Sequence, residues 1–403
     1  MFELVGKYGT AIIYADELEQ SAVAQIINIL NSPISENANI RIMPDAHYGA
    51  GCVIGYTAKR TDKICPNLIG VDKGCGILTF CLGEKSMFQN HLHDLLVLDT
   101  WDAHIRRGIP SGESVRSKGY RAEEVYNIFW PYFAFRYYET FIKEIENVCR
   151  KQGQDFDRVK LSLGTLGGGN HFIELGKDDE DFIWQTFHSG SRHFGYASAA
   201  YHQKKAIEKC GKMGGLEYLE GDDLNDYYHD LQIAQEYAKL NRYIMAYEMI
   251  HYYFQLNMPD IHMVESIHNY VDFSDNIIRK GAIRADKGDE VVIPFNMRDG
   301  LIIGNGKSNA DWNFSAPHGS GRTKSRSKAK QEIKLEDYQE TMDKAGVQSK
   351  CISQGTIDES PMAYKDTDTI IRLIEDTVEI TNRVRPMFSF KAEEKEKKWG
   401  KKK

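Results

Sequence analysis

Residues 159–190 read VKLSLGTLGGGNHFIELGKDDEDFIWQTFHSG and contain two short strand-like runs bounded by glycine. In the first run, HFIEL, successive side chains of a strand alternate between its two faces, which places His171 on the face opposite Phe172 and Glu174. In the second run, FIWQTFHSG, His188 falls at the end of a strand. Similar glycine-bounded runs occupy residues 40–83 and 278–304. The sequence therefore predicts strands whose ends carry histidine.

Two stretches with apolar residues three and four apart are predicted to be helices. They cover residues 226–254 and 368–384, and Pro386 is expected to end the second one. No linker and no repeat divides the chain, so composition places no internal domain boundary. Because strands and helices are interspersed without a regular βαβ alternation, the sequence predicts an α+β or mixed α/β core.

The composition limits the class of protein. With 403 residues and 27% charged side chains, no stretch approaches the roughly 18 apolar residues of a membrane span, and the N-terminus does not resemble a signal peptide, so we expect a cytoplasmic protein. The formal net charge of −7 gives no overall attraction to phosphate, so a nucleic-acid site has to be local. The run RTKSRSKAK at residues 322–330, with five basic residues, is a candidate.

Histidine is the residue type that indicates function. Several histidines lie in loops rich in Gly, Ser and Asn, and such loops are where binding and catalytic groups concentrate. These residues are His47, His171, His188, His268 and His318.

The segment IGVDKGCGI adds Asp72 and Cys75, three residues apart in a glycine-bracketed turn. Imidazoles, a carboxylate and a thiolate suit Mn²⁺, Zn²⁺, Fe²⁺ or Co²⁺ better than Ca²⁺ or Mg²⁺. The thiolate alone favours zinc, so the composition of the set leaves the metal open. Two neighbouring ions sharing Cys75 would suit phosphoryl chemistry.

Several motifs together resemble the RtcB family of GTP- and manganese-dependent RNA ligases. They are MPDAHYGAG, GVDKGCG, LGTLGGGNHFIE, HSGSR, HNY, HGSGRTKSRSKAK and PMAYKDTD, which follow the family's order from about residue 40 to Lys391. The resemblance implies a single α+β domain over residues 1–391, with mixed sheets around a central dinuclear metal site. A Lys-rich tail, residues 392–403, is then predicted to be disordered.

The resemblance also implies an activity. Family members join an RNA 3′-phosphate or 2′,3′-cyclic phosphate to a 5′-hydroxyl, in RNA repair or tRNA splicing, with GTP and two Mn²⁺ ions. RNA with such ends is the expected substrate, and an archease-like protein activator is a further candidate partner. By motif, Asp72 and His171 would hold one ion, His188 and His268 the other, and Cys75 would bridge them.

The nucleotide and RNA contacts follow from the same resemblance. His318 would be the nucleophile that takes GMP, because a neutral imidazole attacks phosphorus and later leaves readily. Glu174 is the natural acceptor for the N1–H and N2 amine of guanine, and Arg192 and Arg322 would hold RNA phosphates. The full set of expected guanylate contacts is Asn170, His171, Phe172, Ile173, Glu174, His268, Asn269, Pro294, Phe295, Asn296, Met297, His318, Gly319, Ser320, Gly321 and Lys391.

The sequence departs from the family pattern in three places, two of them near these motifs and the third the Lys-rich extension beyond Lys391. PFNMRDG replaces the usual PGSMG, so Arg298 either reaches a phosphate or pairs with Asp299. Lys73 replaces a residue that is usually apolar in the family, and it either faces away from the metals or contributes positive charge to the metal site. In the alternative in which Arg298 reaches a phosphate, the altered loop predicts an enzyme that accumulates the GMP-capped 3′ end and serves RNA repair more readily than splicing.

Other hypotheses keep the fold and change the outcome. One is a 3′-phosphate guanylyl-capping or cyclic-phosphate-processing enzyme with weak sealing activity. Another is a non-catalytic RNA-binding homologue, which a missing ligand or nucleophile would favour. The sequence retains every expected metal ligand and the expected nucleophile, His318.

Overall fold

The computed structural model describes residues 1–88 and 96–392. Residues 393–403 of the predicted tail lie outside the described residues. The strands are β1 (Phe2–Val5), β2 (Thr10–Ile13), β3 (Ile40–His47), β4 (Ile54–Lys59), β5 (Lys63–Ile64), β6 (Gly76–Glu84), β7 (Phe172–Lys177), β8 (Phe182–Ser189), β9 (Leu219–Glu220), β10 (Met263–Ile267), β11 (Asn269–Asp272), β12 (Ile277–Lys280), β13 (Ala282–Arg284), β14 (Glu290–Asn296), β15 (Gly300–Gly306), β16 (Ser315–Pro317) and β17 (Val378–Lys391). The helices are α1 (Gln20–Leu30), α2 (Leu98–Gly108), α3 (Ala122–Ile128), α4 (Tyr138–Gln152), α5 (Phe156–Leu161), α6 (Arg192–Cys210), α7 (Gly221–Tyr247), α8 (Arg326–Glu332), α9 (Leu335–Ala345) and α10 (Thr367–Leu373).

Two larger sheets organise the molecule. One has the strand order β1, β2, β3, β4, β12, β11, and the other has the order β10, β6, β8, β7, β17, β15, β14. The backbone N–H of Val292 in β14 donates to Ser266 Oγ in β10 over 2.9 Å, so the two edges of the second sheet approach each other. The sheet is therefore nearly closed, and the predicted single α+β domain is confirmed.

The longest helix, α7, supplies much of the main core. Its apolar side chains pack against the second sheet and include Tyr237, Leu240 and Ile244, all fully buried. A π-helical turn, Glu248–Tyr253, continues α7 directly, so the predicted helix at residues 226–254 is confirmed. None of the helices in the described ranges is long and apolar enough to cross a membrane.

The predicted helix over residues 368–384 is wrong in its second half. Only Thr367–Leu373 is helical, and the chain then enters strand β17. Residues 378–384, VEITNRV, are rich in β-branched side chains, which favour a strand. Pro386 does not end the element, because it lies at a register shift where β17 pairs with β7 and where the missing N–H is tolerated.

The antiparallel order of the second sheet brings the predicted ligands together at one end of its strands. Neighbouring strands run in opposite directions, so the starts of β6 and β7 lie beside the ends of β8 and β10. Cys75 and His171 immediately precede β6 and β7, His188 is near the end of β8, and His268 follows β10. Residues far apart in sequence therefore meet.

Candidate metal and nucleotide site

The five predicted metal ligands form one continuous cluster with Cys75 in the middle. His171 Nε2 lies 2.8 Å from Asp72 Oδ2 and 3.5 Å from Cys75 Sγ. Cys75 Sγ lies 3.3 Å from His188 Nε2. His188 Nε2 in turn lies 3.4 Å from His268 Nε2.

Backbone carbonyls orient two of these imidazoles. His171 Nδ1 donates to the carbonyl of Leu166 over 2.9 Å, and His188 Nδ1 donates to the carbonyl of Asn170 over 3.1 Å. With the proton on Nδ1, the lone pair of each Nε2 faces the cluster. This arrangement is typical of metal-binding histidines, whose second nitrogen is held by an outer partner.

The chemistry of the cluster fits a divalent cation. Burial lowers the pKa of both His188 and His268 well below the usual value, so the two imidazoles are neutral donors. Burial also raises the pKa of Cys75, and the charge of Asp72 raises it further. A bound cation would lower the pKa of Cys75 by favouring the thiolate. It would also attract the lone pairs of His188 Nε2 and His268 Nε2, which otherwise face each other.

Close packing around the ligands requires glycine at two positions. A Cβ on Gly190 would lie 2.1 Å from Asp72 Oδ1, where no atom can be accommodated. Gly167 has a left-handed backbone (φ +88°), and a Cβ there would lie 1.9 Å from Arg192 Nη1. The glycine-rich motifs thus let backbone and side chains approach the ligands.

Asn241 and Arg242, adjacent on α7 and fully buried, tie the ligand loops together. Thr165 N donates to Asn241 Oδ1 over 3.0 Å, and Asn241 Nδ2 donates to Thr165 O and to Ser189 Oγ over 3.1 and 3.0 Å. Arg242 Nη1 donates to the carbonyls of Gly74 and Ser189 over 2.6 and 3.0 Å, while a carboxylate of β10 balances its charge. One helix therefore holds the loops that precede β6 and β7 and the loop that follows β8.

Lys73 faces away from the ligands. Its Nζ donates to Ser198 Oγ over 2.9 Å and lies 4.8 Å from the centre of the Tyr227 ring, fully buried. Of the two alternatives for this position, the structure contains the one in which the ammonium stays away from the metal ligands.

A cavity of about 740 Å³ lies beside the cluster. Most of the expected guanylate contacts line it, together with His47 and Arg322. Those contacts are Asn170, Phe172, Glu174, His268, Asn269, Pro294, Phe295, Asn296, Met297, His318, Gly319, Ser320, Gly321 and Lys391. His171 is not among the lining residues, and the side chain of Ile173 belongs to the main core.

His318 is held in the cavity by Asp45, a residue that the motif reasoning passed over. His318 Nδ1 lies 2.6 Å from Asp45 Oδ2, and the Asp45 side chain is fully buried. The His318 ring lies 4.8 Å from the ring of His268, so the predicted nucleophile adjoins the predicted ligands. Asp45 stands two residues before His47 in the same strand, so the motif MPDAHYG contained the signal.

Glu174 is a buried carboxyl in the cavity wall. Burial raises the pKa of Glu174 to about 8, and the charge of Lys391 opposes this effect. Lys391 itself lies 3.1 Å from Glu359 and above the ring of Phe172. A base bound here would meet a carboxyl, an aromatic ring and an ammonium group.

The two arginines expected to bind RNA have different surroundings. Arg322 Nη1 lies 3.3 Å from both Glu359 Oε1 and Tyr364 Oη, so its charge is already paired. Within the described part of the chain, Arg192 has no carboxylate among its hydrogen-bond partners, and it donates to the carbonyl of Gly112 over 3.2 Å. Of the two, Arg192 retains more capacity for a phosphate.

Arg298 is paired with its neighbour. Its Nε and Nη2 lie 2.7 and 2.8 Å from the two carboxylate oxygens of Asp299, and Asn296 also donates to that carboxylate. The alternative in which Arg298 props the loop is the one that the structure contains.

Comparison with known proteins identifies the family. The family model described as "tRNA-splicing ligase RtcB" matches residues 25–392. The chain belongs to the RtcB family. The RNA-splicing ligase RtcB of Escherichia coli (strain K12) is 30% identical, over 93% of this chain and 95% of the relative.

More distant RtcB relatives also span nearly the whole chain. The tRNA-splicing ligase RtcB of Archaeoglobus fulgidus is 24% identical, over 92% of this chain and 91% of its own length. The RNA-splicing ligase RtcB2 of Escherichia coli (strain ATCC 25922) is 24% identical, over 94% of each chain. The chain is therefore a divergent RtcB family member, as the motifs indicated.

We expect Asn241→Ala to weaken the binding of a divalent cation about tenfold, because Asn241 fixes the loops that carry the ligands and groups outside the ligands contribute about 10- to 100-fold to affinity. Calorimetric titration of the metal-free protein measures this. Leu240→Ala is the matched control, because Leu240 is equally buried on α7 and packs in the core. It should lower the melting temperature and leave metal affinity unchanged. Equal losses of affinity in both variants would contradict the role of Asn241.

Proposed function

We propose that this chain is an RNA ligase that joins RNA 3′-phosphate or 2′,3′-cyclic phosphate ends to 5′-hydroxyl ends through a His318–GMP intermediate. The observation that carries the proposal is the contact of His318 Nδ1 with buried Asp45, inside a cavity that reaches the metal-ligand cluster. The RtcB relatives are named RNA-splicing and tRNA-splicing ligases, which supports RNA as the substrate.

The contact with Asp45 prepares His318 as a nucleophile. With Nδ1–H donating to Asp45, the lone pair is on Nε2. Nε2 attacks the α-phosphorus of GTP, a P–N bond forms, and pyrophosphate leaves with the electron pair of the broken P–O bond. The nearby carboxylate stabilises the imidazolium that results. An oxygen of the RNA 3′-phosphate then attacks the same phosphorus, and neutral imidazole leaves.

Two Mn²⁺ ions are part of the proposal. Asp72 and His171 would hold one ion and His188 and His268 the other, with Cys75 between them. When bound, such ions neutralise charge on the reacting phosphates and align them. The donor set itself also accepts zinc, so the choice of manganese rests on the family resemblance.

Guanine selection is assigned to Glu174. Its ionised carboxylate can accept hydrogen bonds from both N1–H and the N2 amine of guanine, a pair of donors that adenine lacks. The neighbouring Lys391 favours the ionised form. A protein activator and a cytoplasmic location remain predictions.

We expect His318→Ala to abolish covalent labelling by α-³²P GTP with Mn²⁺, because no other group is proposed to attack the phosphorus. The label on the unaltered protein should be lost in acid and survive alkali, as a phosphoramidate does. Label that remains on His318→Ala would refute the assignment. Cleavage of a cyclic phosphate without any need for GTP would favour the processing enzyme instead.

Asp45→Asn should slow labelling of His318 by about a hundredfold or more, because an amide donating to Nδ1 favours the tautomer with the proton on Nε2. Rapid-quench measurement of the first labelling event gives the rate. A rate equal to that of the unaltered protein would show that Asp45 only fills space.

We expect GTP binding at pH 7 to release close to one proton from Glu174. In the free protein the pKa of Glu174 is raised to about 8 by burial, so the group is mostly protonated at pH 7, whereas the guanine-bound form is ionised. Affinity should therefore fall about tenfold per pH unit below pH 8 and level off above it. Calorimetry in buffers of different ionisation enthalpy measures the proton. Glu174→Gln is the control, and a proton release unchanged in it would contradict the prediction.

Arg298→Ala should leave both the sealing rate and the amount of GMP-capped 3′ end unchanged, because the Arg298 guanidinium is paired with Asp299. Products of a nicked tRNA-like substrate followed over time give both quantities. A change in the capped fraction in this variant would restore the hypothesis of a capping enzyme.

A further inference from the structure

His47 lies in the cavity, and the proposed reaction gives it no task. It is the last residue of β3, and it lines the same cavity as His318. Its side chain is partly exposed, in contrast to the fully buried Asp45 two residues earlier. A polar side chain in this position can contact the substrate that the cavity holds.

Asp45 lies between two imidazoles, those of His318 and His47. His318 Nδ1 meets the Asp45 carboxylate, whereas His47 Nδ1 donates to the backbone carbonyl of Asp45 over 2.9 Å. The loop that carries His318 packs against the same carbonyl, because a Cβ on Gly321 would lie 2.0 Å from its oxygen. His47 is therefore held beside the loop of the proposed nucleophile.

Neighbouring contacts fix the backbone on either side of His47. Lys365 Nζ donates to the carbonyls of the residues before and after Asp45, over 3.0 and 2.7 Å. Together with the Asp45 carbonyl, three successive carbonyls of β3 are thus hydrogen-bonded by side chains. After His47, the N–H of Tyr48 donates to Glu19 Oε1 over 2.6 Å. The imidazole of His47 consequently projects from a backbone that is held in place.

The second ring nitrogen of His47 is a free acceptor. With the proton on Nδ1, the lone pair is on Nε2, which points away from the Asp45 carbonyl. Among residues 1–88 and 96–392, Nε2 has no hydrogen-bond partner, yet it is not one of the side-chain atoms that are enclosed without a partner. Burial, with a smaller effect of the charge on His318, lowers the pKa of His47 to about 4. His47 therefore offers the cavity a neutral acceptor at pH 7.

A neutral acceptor excludes most groups of the two substrates. Phosphate oxygens are acceptors themselves and are repelled by the lone pair, and the N–H groups of guanine are assigned to Glu174. A metal ion needs several ligands, and within the described ranges His47 belongs to no group of three side chains able to bind one. The donors that remain next to a reacting phosphate are the hydroxyl groups of ribose.

Resting on the proposed function, we propose that His47 Nε2 accepts a hydrogen bond from a ribose 2′-hydroxyl, so that His47 distinguishes ribonucleotides from deoxyribonucleotides. Two nucleotides bring this group to the cavity, the guanylate and the 3′-terminal nucleotide of the RNA. In the second, the 2′-hydroxyl is on the carbon next to the one that bears the phosphate. A site built to hydrogen-bond a hydroxyl selects strongly against the analogue that lacks it, and the 2′-hydroxyl is the group that separates RNA from DNA.

Two rates, each measured with a ribose and a deoxyribose substrate, test the proposal. One is the labelling of His318 by α-³²P GTP or by α-³²P 2′-deoxyGTP with Mn²⁺, which concerns the guanylate. The other is the transfer of GMP from the labelled protein to an RNA 3′-phosphate whose last sugar is ribose or 2′-deoxyribose. In at least one of them we expect the unaltered protein to prefer ribose about tenfold or more, because deoxyribose leaves the acceptor without a partner. The step that shows the preference identifies the nucleotide.

Variants of His47 connect the preference to its lone pair. His47→Phe keeps a ring without the acceptor, and it should abolish the preference by slowing the ribose substrate only. His47→Gln offers a carbonyl acceptor and should retain part of the preference. His251→Phe is the matched control, because His251 is exposed, is not among the cavity residues and stacks on Tyr247 through its ring. This control should behave as the unaltered protein does.

A preference that persists in His47→Phe, equal slowing of ribose and deoxyribose substrates, or no preference of the unaltered protein in either step would each overturn the proposal. An effect confined to the sealing of an RNA end already capped with GMP would overturn it too, since it would assign His47 to the 5′-hydroxyl. Melting temperatures identify any loss of folding, and His47→Ala replaces His47→Phe if the larger ring destabilises the protein. Absence of label on the unaltered protein with either nucleotide refutes the proposed function instead.

Discussion

Burying three imidazoles and a thiol beside a carboxylate is costly unless a cation binds to them, and much of the domain is arranged around that constraint. Cys75 lies within 3.5 Å of both His171 and His188. The Nε2 atoms of both histidines face the Cys75 sulfur because the carbonyls of Leu166 and Asn170 accept hydrogen bonds from the Nδ1–H groups. The loop backbone thus decides which atoms are offered to a metal.

Buried loops must themselves be satisfied, since unpaired backbone groups inside a protein are destabilising. Helix α7 meets this need with Asn241 and Arg242, which hydrogen-bond to groups of the loops at Gly74, Thr165 and Ser189. The same helix buries Leu240 in the core. Core packing and ligand geometry are consequently coupled through one element, and a shift of α7 moves the ligand loops together.

Most of what could be predicted from the sequence came from patterns that extend over only a few residues. Histidine and cysteine at glycine-bounded strand ends indicated the cluster, and helical spacing indicated α7. The partner of His318 is 273 residues away, so only the three-dimensional fold brings Asp45 to it. The role of Asn241 could not be predicted from the sequence for a related reason. The spacing of apolar residues on α7 predicts which apolar side chains are buried, and it does not predict that a polar side chain next to them is buried as well. Spacing also extended α10 into β17, where β-branched residues and pairing with β7 and β15 prevail.

The position of the cluster in the wall of the cavity bears on what each histidine can do there. His188 and His268 line the cavity in which His318 lies, and the rings of His268 and His318 are 4.8 Å apart. The carboxylate of Asp45 holds His318, whereas a backbone carbonyl holds His188. A carboxylate partner stabilises a positively charged imidazole, while a neutral carbonyl orients an imidazole that stays neutral and can bind a metal. Neighbouring histidines in one cavity are therefore suited to different chemistry by the group that their second nitrogen contacts.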